Sequence, residues 1–259
     1  MNRFRIIIKY FFHFVTARNT GGFGVHSPFL FQFTRFVLFE KHTFYNFKSI
    51  ESLRKLLKND KRIINITDFG TRNNRSVTVA SVASTSLKSA KYGQLLFRIA
   101  HYFKTINILE LGTSLGITTA YLASPSATIK CVSIEGCPQI AAIAIENFKK
   151  LAIENVEIVI GNIDEKLPDA LAEFESLDLI FIDANHQYDA VLNYFEMCLP
   201  KITNDSIVLI DDIYWSKDME KAWDMIRSNP CVTSTIDLFQ LGIVFFNADL
   251  HKKHYKMRY

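Results

Sequence analysis

From about Tyr92 onward the chain repeats one pattern: a short apolar run, a segment of helical periodicity, then another apolar run. The runs are Ile106–Leu111, Lys130–Ile134, Val156–Ile160, Leu177–Ile182 and Ile207–Ile210. Parallel strands need a long crossover, ordinarily a helix, so this alternation predicts βαβ units in a doubly wound sheet. The stretch "VTSTIDLFQLGIVFF" departs from it, with two strand-like runs joined around Gln240–Gly242. That connection is too short for a crossover and predicts a closing antiparallel hairpin. The expected fold is α/β, a mostly parallel sheet of seven strands with an antiparallel last strand, preceded by a mainly helical N-terminal extension.

Three segments are expected: a basic, mainly helical cap over residues 1–88, the α/β domain over 89–250, and a basic tail over 251–259. Charge supports the first boundary. Residues 1–62 hold 12 Lys or Arg against 3 Asp or Glu, a balance of +9, whereas residues 63–259 hold 18 against 23, a balance of −5. The opening "MNRFRIIIKYFFHFVTAR" places Phe4, Ile7, Ile8, Phe11, Phe14 and Val15 at helical spacing, with Arg5, Lys9 and Thr16 on another face. Such a stripe most often caps a core; the alternative is peripheral contact with an anionic membrane. Lys9 and His13 interrupt the apolar run and no small-residue cleavage site follows, which argues against a signal peptide. No run of eighteen apolar residues predicts a transmembrane helix. Four cysteines without CxxC or CxxH spacing fit reduced thiols and a cytoplasmic setting. In the glycine-rich "RNTGGFGVHSPFLF", His26 beside Ser27 reads as a turn cap before it reads as a substrate contact. "TDFG" at Thr67–Gly70 matches the kinase triplet by chance, since no other kinase motif accompanies it.

In a doubly wound sheet, ligands bind at the carboxyl ends of the strands. The first regular strand ends in "ILELGTSLGITTA", with Glu110 and then Gly112 and Gly116 leading into a helix. Glycines let backbone approach a ligand, and a helix amino terminus offers free N–H groups. The second strand ends in Glu135, nineteen residues after Gly116, where a carboxylate can accept from two ribose hydroxyls. Together they point to a nucleoside-bearing cofactor. The spacing is GxxxG and not GxGxxG, which argues against a nicotinamide dinucleotide. The bland alternative is that the glycines only serve a tight turn.

"ILELGTSLGITTAYLA", "VSIEGCPQIAAIAIENFKKL", "IVIGNIDEKLP", "LDLIFIDANHQYDAVLNYFEMCLPKI" and "SIVLIDDIYW" resemble the successive motifs of class I S-adenosylmethionine-dependent methyltransferases, with their Rossmann-like sheet. The group most similar is the cation-dependent O-methyltransferases, of the catechol and caffeoyl-CoA type; "AKYGQLL" resembles the segment that precedes their first strand. The resemblance covers roughly residues 88–247. It implies that Glu110, Gly112, Thr113 and Gly116 surround the methionine part of S-adenosylmethionine, with Ser114 at the middle glycine of the broader GxGxG pattern. It implies that Glu135 holds the ribose and that Gly161 and Asn162 lie near the adenine, where many relatives carry an acidic residue.

Asp183 closes "LIFID", and Asp211 and Asp212 close "IVLID", so three carboxyl groups are expected at neighbouring strand ends. Hard cations such as Mg2+ take oxygen ligands and keep positions for substrate oxygens. The family resembled uses an Asp and an Asp-Asn pair, and the pair here is Asp-Asp. A cation lowers the pKa of a bound hydroxyl, and His186, where the catechol enzyme has its lysine base, is placed to accept the proton. Asp183 therefore counts as both cofactor-side and catalytic. The alternative for Asp183 and Asp211 is capping of the following helices, and for His186 a structural hydrogen bond. Tyr188 and Trp215 are candidates for the wall of an acceptor pocket. The expected activity is O-methylation of a small or medium-sized hydroxyl acceptor with divalent-metal assistance. Open alternatives are metal-independent methylation of a nitrogen or protein acceptor, and a non-catalytic cofactor- or partner-binding domain. A homodimer is a further open expectation; nucleic acid is not an expected partner, because no interleaved basic and aromatic stripe is present.

Overall fold

The computed structural model describes residues 3–67 and 74–259. The Asp68–Gly70 part of the TDFG match lies outside them. The fold is mixed α/β, with eight strands in a mostly parallel sheet, and the chain divides into two units: residues 1–40 with Glu175–Tyr259, and Lys41–Phe174.

The first unit begins with α1 (Arg3–Thr16) and α2 (Pro28–Phe33). The Ser27 side chain caps α2 by accepting from the Leu30 N–H, and Pro28 occupies the first turn, where no N–H is needed. His26 beside it is exposed. The second unit contributes α3 (Tyr45–Leu57), a hairpin of β1 (Ile63–Thr67) and β2 (Asn74–Thr78), α4 (Val79–Ser86) and α5 (Ala90–Tyr102). Then follow β3 (Asn107–Leu111), α6 (Ile117–Ala123), β4 (Lys130–Glu135), α7 (Pro138–Leu151), β5 (Val156–Ile160) and α8 (Ile163–Ala172). Its strands run parallel in the order β3, β4, β5, with Glu110 beside Ser133 and Glu135 beside Ile160. The helices bury Phe47, Phe97, Tyr121 and Phe148 in one cluster with the hairpin residue Ile64.

The chain returns to the first unit with β6 (Leu177–Ile182), α9 (Tyr188–Cys198), β7 (Ile202–Asp211), α10 (Lys217–Ser228), β8 (Ser234–Asp237), β9 (Leu241–Phe245) and β10 (Lys253–Lys256). Strand order here is β6, β7, β9, β8, β10; β9 is antiparallel to both neighbours, as the short Gln240 connection predicts. Gly242 in β9 lies against the buried indole of Trp223, where an added Cβ would fall 2.6 Å from a ring carbon.

Two expectations need correction. The sheet has eight strands and not seven, because Lys253–Lys256 pair in parallel with β8. Their Lys-rich sequence reads as a tail, but Tyr255 is buried while Lys253 and His254 stay exposed, as suits a charged edge strand. The second correction concerns α1. Its apolar stripe does not cap a core: Phe4, Ile7, Phe11, Phe12 and Val15 are each more than half exposed. The face turned inward is polar. Arg5 and Lys9 pair with Glu220, Lys9 lies over the Tyr214 ring, and His13 Nε2 donates to Asp237 Oδ1 at 3.0 Å.

Burial would push the Asp237 carboxyl up, but hydrogen bonds from His13, Tyr214 Oη (2.6 Å) and the Phe239 N–H (2.9 Å) hold it below its ordinary value. A carboxyl held low stabilises the fold above roughly pH 4 and loses that contribution as pH falls through its folded value. The difference in unfolding free energy between wild type and Asp237→Asn should be full at neutral pH and shrink below about pH 4, as read by urea titrations across that range. Gly242→Ala should cost about 1–3 kcal/mol, because the enclosed indole has little room to give; the urea midpoint should fall with an unchanged slope.

Candidate functional site

In the second unit, the turn after β3 is built on a buried carboxylate. Glu110 is fully buried; its Oε2 accepts from Ser133 Oγ on β4 at 2.6 Å and from Thr119 Oγ1 on α6. Thr113, also buried, shares a 2.5 Å hydrogen bond with the same Ser133 hydroxyl. The N–H groups of Gly112 and Thr113 both reach the Ile134 carbonyl. Glu110 and Thr113 thus brace the turn from beneath, and neither side chain is presented to solvent. Gly116 starts α6 with φ 77°, and an added Cβ would meet the Phe148 ring at 2.8 Å, so both backbone and packing demand glycine.

Ser114 has φ 49°, a conformation unfavourable for a residue with a Cβ. It directs its N–H to Glu135 Oε2 at 2.8 Å, while the Cys137 N–H donates to Oε1 at 2.9 Å. Burial raises the Glu135 pKa above its ordinary value, against the pull of these backbone donors. Glu135 and Ser114 line a cavity of about 180 Å3 whose other walls are α4, the hairpin and Ile140. Ser86 Oγ of α4 meets Ser114 Oγ at 3.0 Å, and Arg75, Ser81 and Thr85 complete the polar lining. Thr85 and Ser86 carry no signal in the sequence, because "VASVASTS" reads only as a small polar helix, and Arg75 lies in the equally unmarked "NRSVT" of β2. Gly161 ends β5 with φ 147°, and Asn162 caps α8 by accepting from the Asp164 N–H at 3.2 Å. That cap occupies the Asn162 oxygen expected near an adenine.

In the first unit, the ends of β6 and β7 carry the acidic group. Ligand-type atoms of Asp183, His186 and Asp211 lie within 4.8 Å of one another. Asp211 is buried, and Asp183 and His186 are partly exposed. His186 Nε2 is itself buried without a hydrogen bond, 3.7 Å from Asp183 Oδ1 and 3.7 Å from Asp212 Oδ2. Asp212 stands beside this group and not within it, since at φ 50° its backbone turns away from the strand; its own N–H reaches the Gln240 carbonyl. Asn185 (φ 65°) and His186 (φ 44°) form a second left-handed stretch, and Asn185 Nδ2 donates to Tyr194 Oη at 3.2 Å. The Trp215 ring, partly exposed, lies 6.3 Å from the His186 ring. Tyr188 begins α9 and is partly buried. Two carboxylates and an imidazole so arranged fit a divalent cation by donor chemistry.

Residues 109–213 match a family described as a methyltransferase domain. A catechol O-methyltransferase of Mycobacterium tuberculosis is 26% identical over 127 residues, 48% of this chain and 56% of that protein. The O-methyltransferase imqG of Aspergillus flavus is 31% identical over 111 residues, 40% of this chain and 44% of that protein. The chain therefore spans about half the length of these curated relatives. An O-methyltransferase of Bacillus cereus, solved in complex with SAH, shares the fold at a TM-score of 0.58 and 19% identity, covering 80% of this chain and 93% of that one. Residues 109–213 thus match a methyltransferase domain, and the chain is similar to O-methyltransferases over less than half of its length and to an SAH-bound one in fold.

Proposed function

We propose that this chain moves a methyl group from S-adenosylmethionine to a hydroxyl of a small or medium-sized acceptor, assisted by a divalent cation. The observation that carries the metal-assisted reading is the convergence of Asp183, His186 and Asp211 within 4.8 Å at two strand ends. The cofactor supplies an electrophilic methyl on a sulfonium, and a cation supplies a lower pKa for a hydroxyl bound to it.

The chain's own residues divide the remaining work. Glu135 is the sugar-binding carboxylate. Both its oxygens are already oriented by loop N–H groups, and it faces a cavity whose 180 Å3 is below the usual range for a whole cofactor and suits the sugar end. The backbone of Gly112, Ser114 and Gly116 follows the rest of the cofactor, and Glu110 and Thr113 act through the loop they brace. Asn162 contributes through the α8 cap it forms. Asp183 and Asp211 hold the cation, with Asp212 beside them. His186 takes the acceptor's proton at Nε2, the atom that makes no hydrogen bond, as the acceptor oxygen forms its bond to carbon and the carbon–sulfur bond breaks. Trp215 and Tyr188 wall the acceptor. A second reading is favoured by the same grouping: His186 as the third ligand, giving a mixed oxygen and nitrogen set that admits Mn2+, Fe2+ or Zn2+ as well as Mg2+.

Titration of the protein with Mn2+ alone, followed calorimetrically, tests the site without turnover. Asp183→Ala and Asp211→Ala should each weaken Mn2+ binding at least about tenfold, as loss of a charged ligand implies. Unchanged binding in both rejects the cation, and turnover that survives EDTA moves the reaction to the metal-independent class. His186→Ala separates its two roles: a base loses turnover with Mn2+ affinity intact, whereas a ligand loses both. Glu135→Ala should weaken S-adenosylmethionine binding by about tenfold or more, with stability little changed. Glu110→Ala should instead cost about 2–4 kcal/mol of stability, because it strands two buried hydroxyls and opens a cavity; thermal unfolding reads the difference.

A further inference from the structure

The outward apolar face of α1 is unexplained by methyl transfer. Phe4, Ile7, Ile8, Phe11, Phe12 and Val15 form one continuous exposed arc, with Tyr10 and Phe14 at one side. The helix cannot roll to hide it, because the opposite row is committed: Arg5 and Lys9 to Glu220, His13 to Asp237.

The surroundings of that arc are basic. Residues 1–39 and 250–259 together hold nine Lys or Arg and no Asp or Glu. The C-terminal segment is fastened to the end of α1. Arg258 Nε donates to the Phe14 carbonyl at 2.8 Å, its guanidinium lies 4.0 Å from the Phe14 ring centre, and its N–H reaches Thr20 Oγ1 at 2.9 Å. The Asn19 N–H donates to the Lys256 carbonyl, and Lys253 Nζ reaches the Gly24 carbonyl. Arg18, Lys253 and Arg258 are exposed beside the helix end. An apolar helical face with exposed cations at its end matches an acyl layer topped by anionic headgroups. Self-association through the same face would bring like-charged ends together, and a nucleic acid offers nothing apolar to cover six large side chains.

We infer that α1 is a peripheral membrane anchor: its Phe and Ile face enters the interface of an anionic bilayer while Arg18, Lys253 and Arg258 meet lipid phosphates. No described helix is long and apolar enough to cross a membrane.

The test is co-sedimentation of the full chain with vesicles of phosphatidylcholine alone and of phosphatidylcholine mixed equally with phosphatidylglycerol. Binding to the mixed vesicles should exceed binding to the neutral ones at least tenfold and weaken as salt rises. Ile7→Ser/Phe11→Ser should lose at least tenfold, and Arg258→Gln about fivefold. Circular dichroism should show the helix content of both unchanged. Phe11→Trp provides a reading independent of those losses. Over the background of Trp215 and Trp223, its emission should shift to the blue with mixed vesicles and be quenched by brominated acyl chains. Equal binding to both vesicle types, or unshifted Phe11→Trp emission, overturns the inference. So does light scattering that finds a dimer which Ile7→Ser/Phe11→Ser dissolves, because a second copy would then cover the face.

Discussion

A buried carboxylate must be compensated or it unfolds its surroundings, and Glu110 is compensated in a way that shapes everything near it. Its partners come from the next strand and the next helix: Ser133 on β4 and Thr119 on α6. One side chain thereby ties strand, strand and crossover helix at the point where the turn leaves β3. With that turn fixed, Gly112 and Thr113 reach the Ile134 carbonyl, Ser114 is held left-handed, and its N–H meets Glu135. The outer carboxylate is oriented because the inner one is buried. The same order explains why Glu110 and Glu135, alike in sequence as strand-end acids, do different work.

Unfavourable backbone gathers at the strand ends of both units. Among described residues other than glycine with positive φ, Ser114 follows β3, Asn185 and His186 follow β6, and Asp212 follows β7. Each costs on the order of 1–3 kcal/mol and persists only where neighbours over-determine it. At each a specific partner does so: Glu135 for Ser114, Tyr194 for Asn185, and the Gln240 carbonyl for Asp212. These turns are held by hydrogen bonds to a strand end, a helix and a hairpin loop, leaving His186 Nε2 without a hydrogen bond but close to two carboxylates.

Five strands of the sheet and the closing hairpin were legible because buried parallel strands write themselves as short runs of Ile, Leu and Val between helical segments. Two elements were not. The β1 and β2 hairpin carries "IINIT" and "NRSVT", half polar and lying against other elements on one side only, so period-two alternation is faint. β10 hides behind three basic residues because an edge strand needs only one buried side chain, Tyr255. In the site, the strand-end acids and glycines were visible from position, but Arg75, Thr85 and Ser86 were not. Their place near Ser114 is set by tertiary packing of a helix and a hairpin strand whose own sequences are featureless.

The reversal of α1 marks a deeper boundary. Helical periodicity separates two faces and says nothing about which one turns inward; that choice belongs to residues over two hundred positions away, Glu220 and Asp237. The usual rule fails because the inward side offers charge. Asp237 is buried and already engaged by Tyr214, and it needs a nearby donor more than it needs an apolar neighbour. His13, on the same row as Lys9 and Arg5, provides it. Once that row is drawn inward, the fixed turn of the helix sends Phe4, Ile7, Phe11 and Val15 outward, so an exposed apolar face follows from satisfying a buried acid.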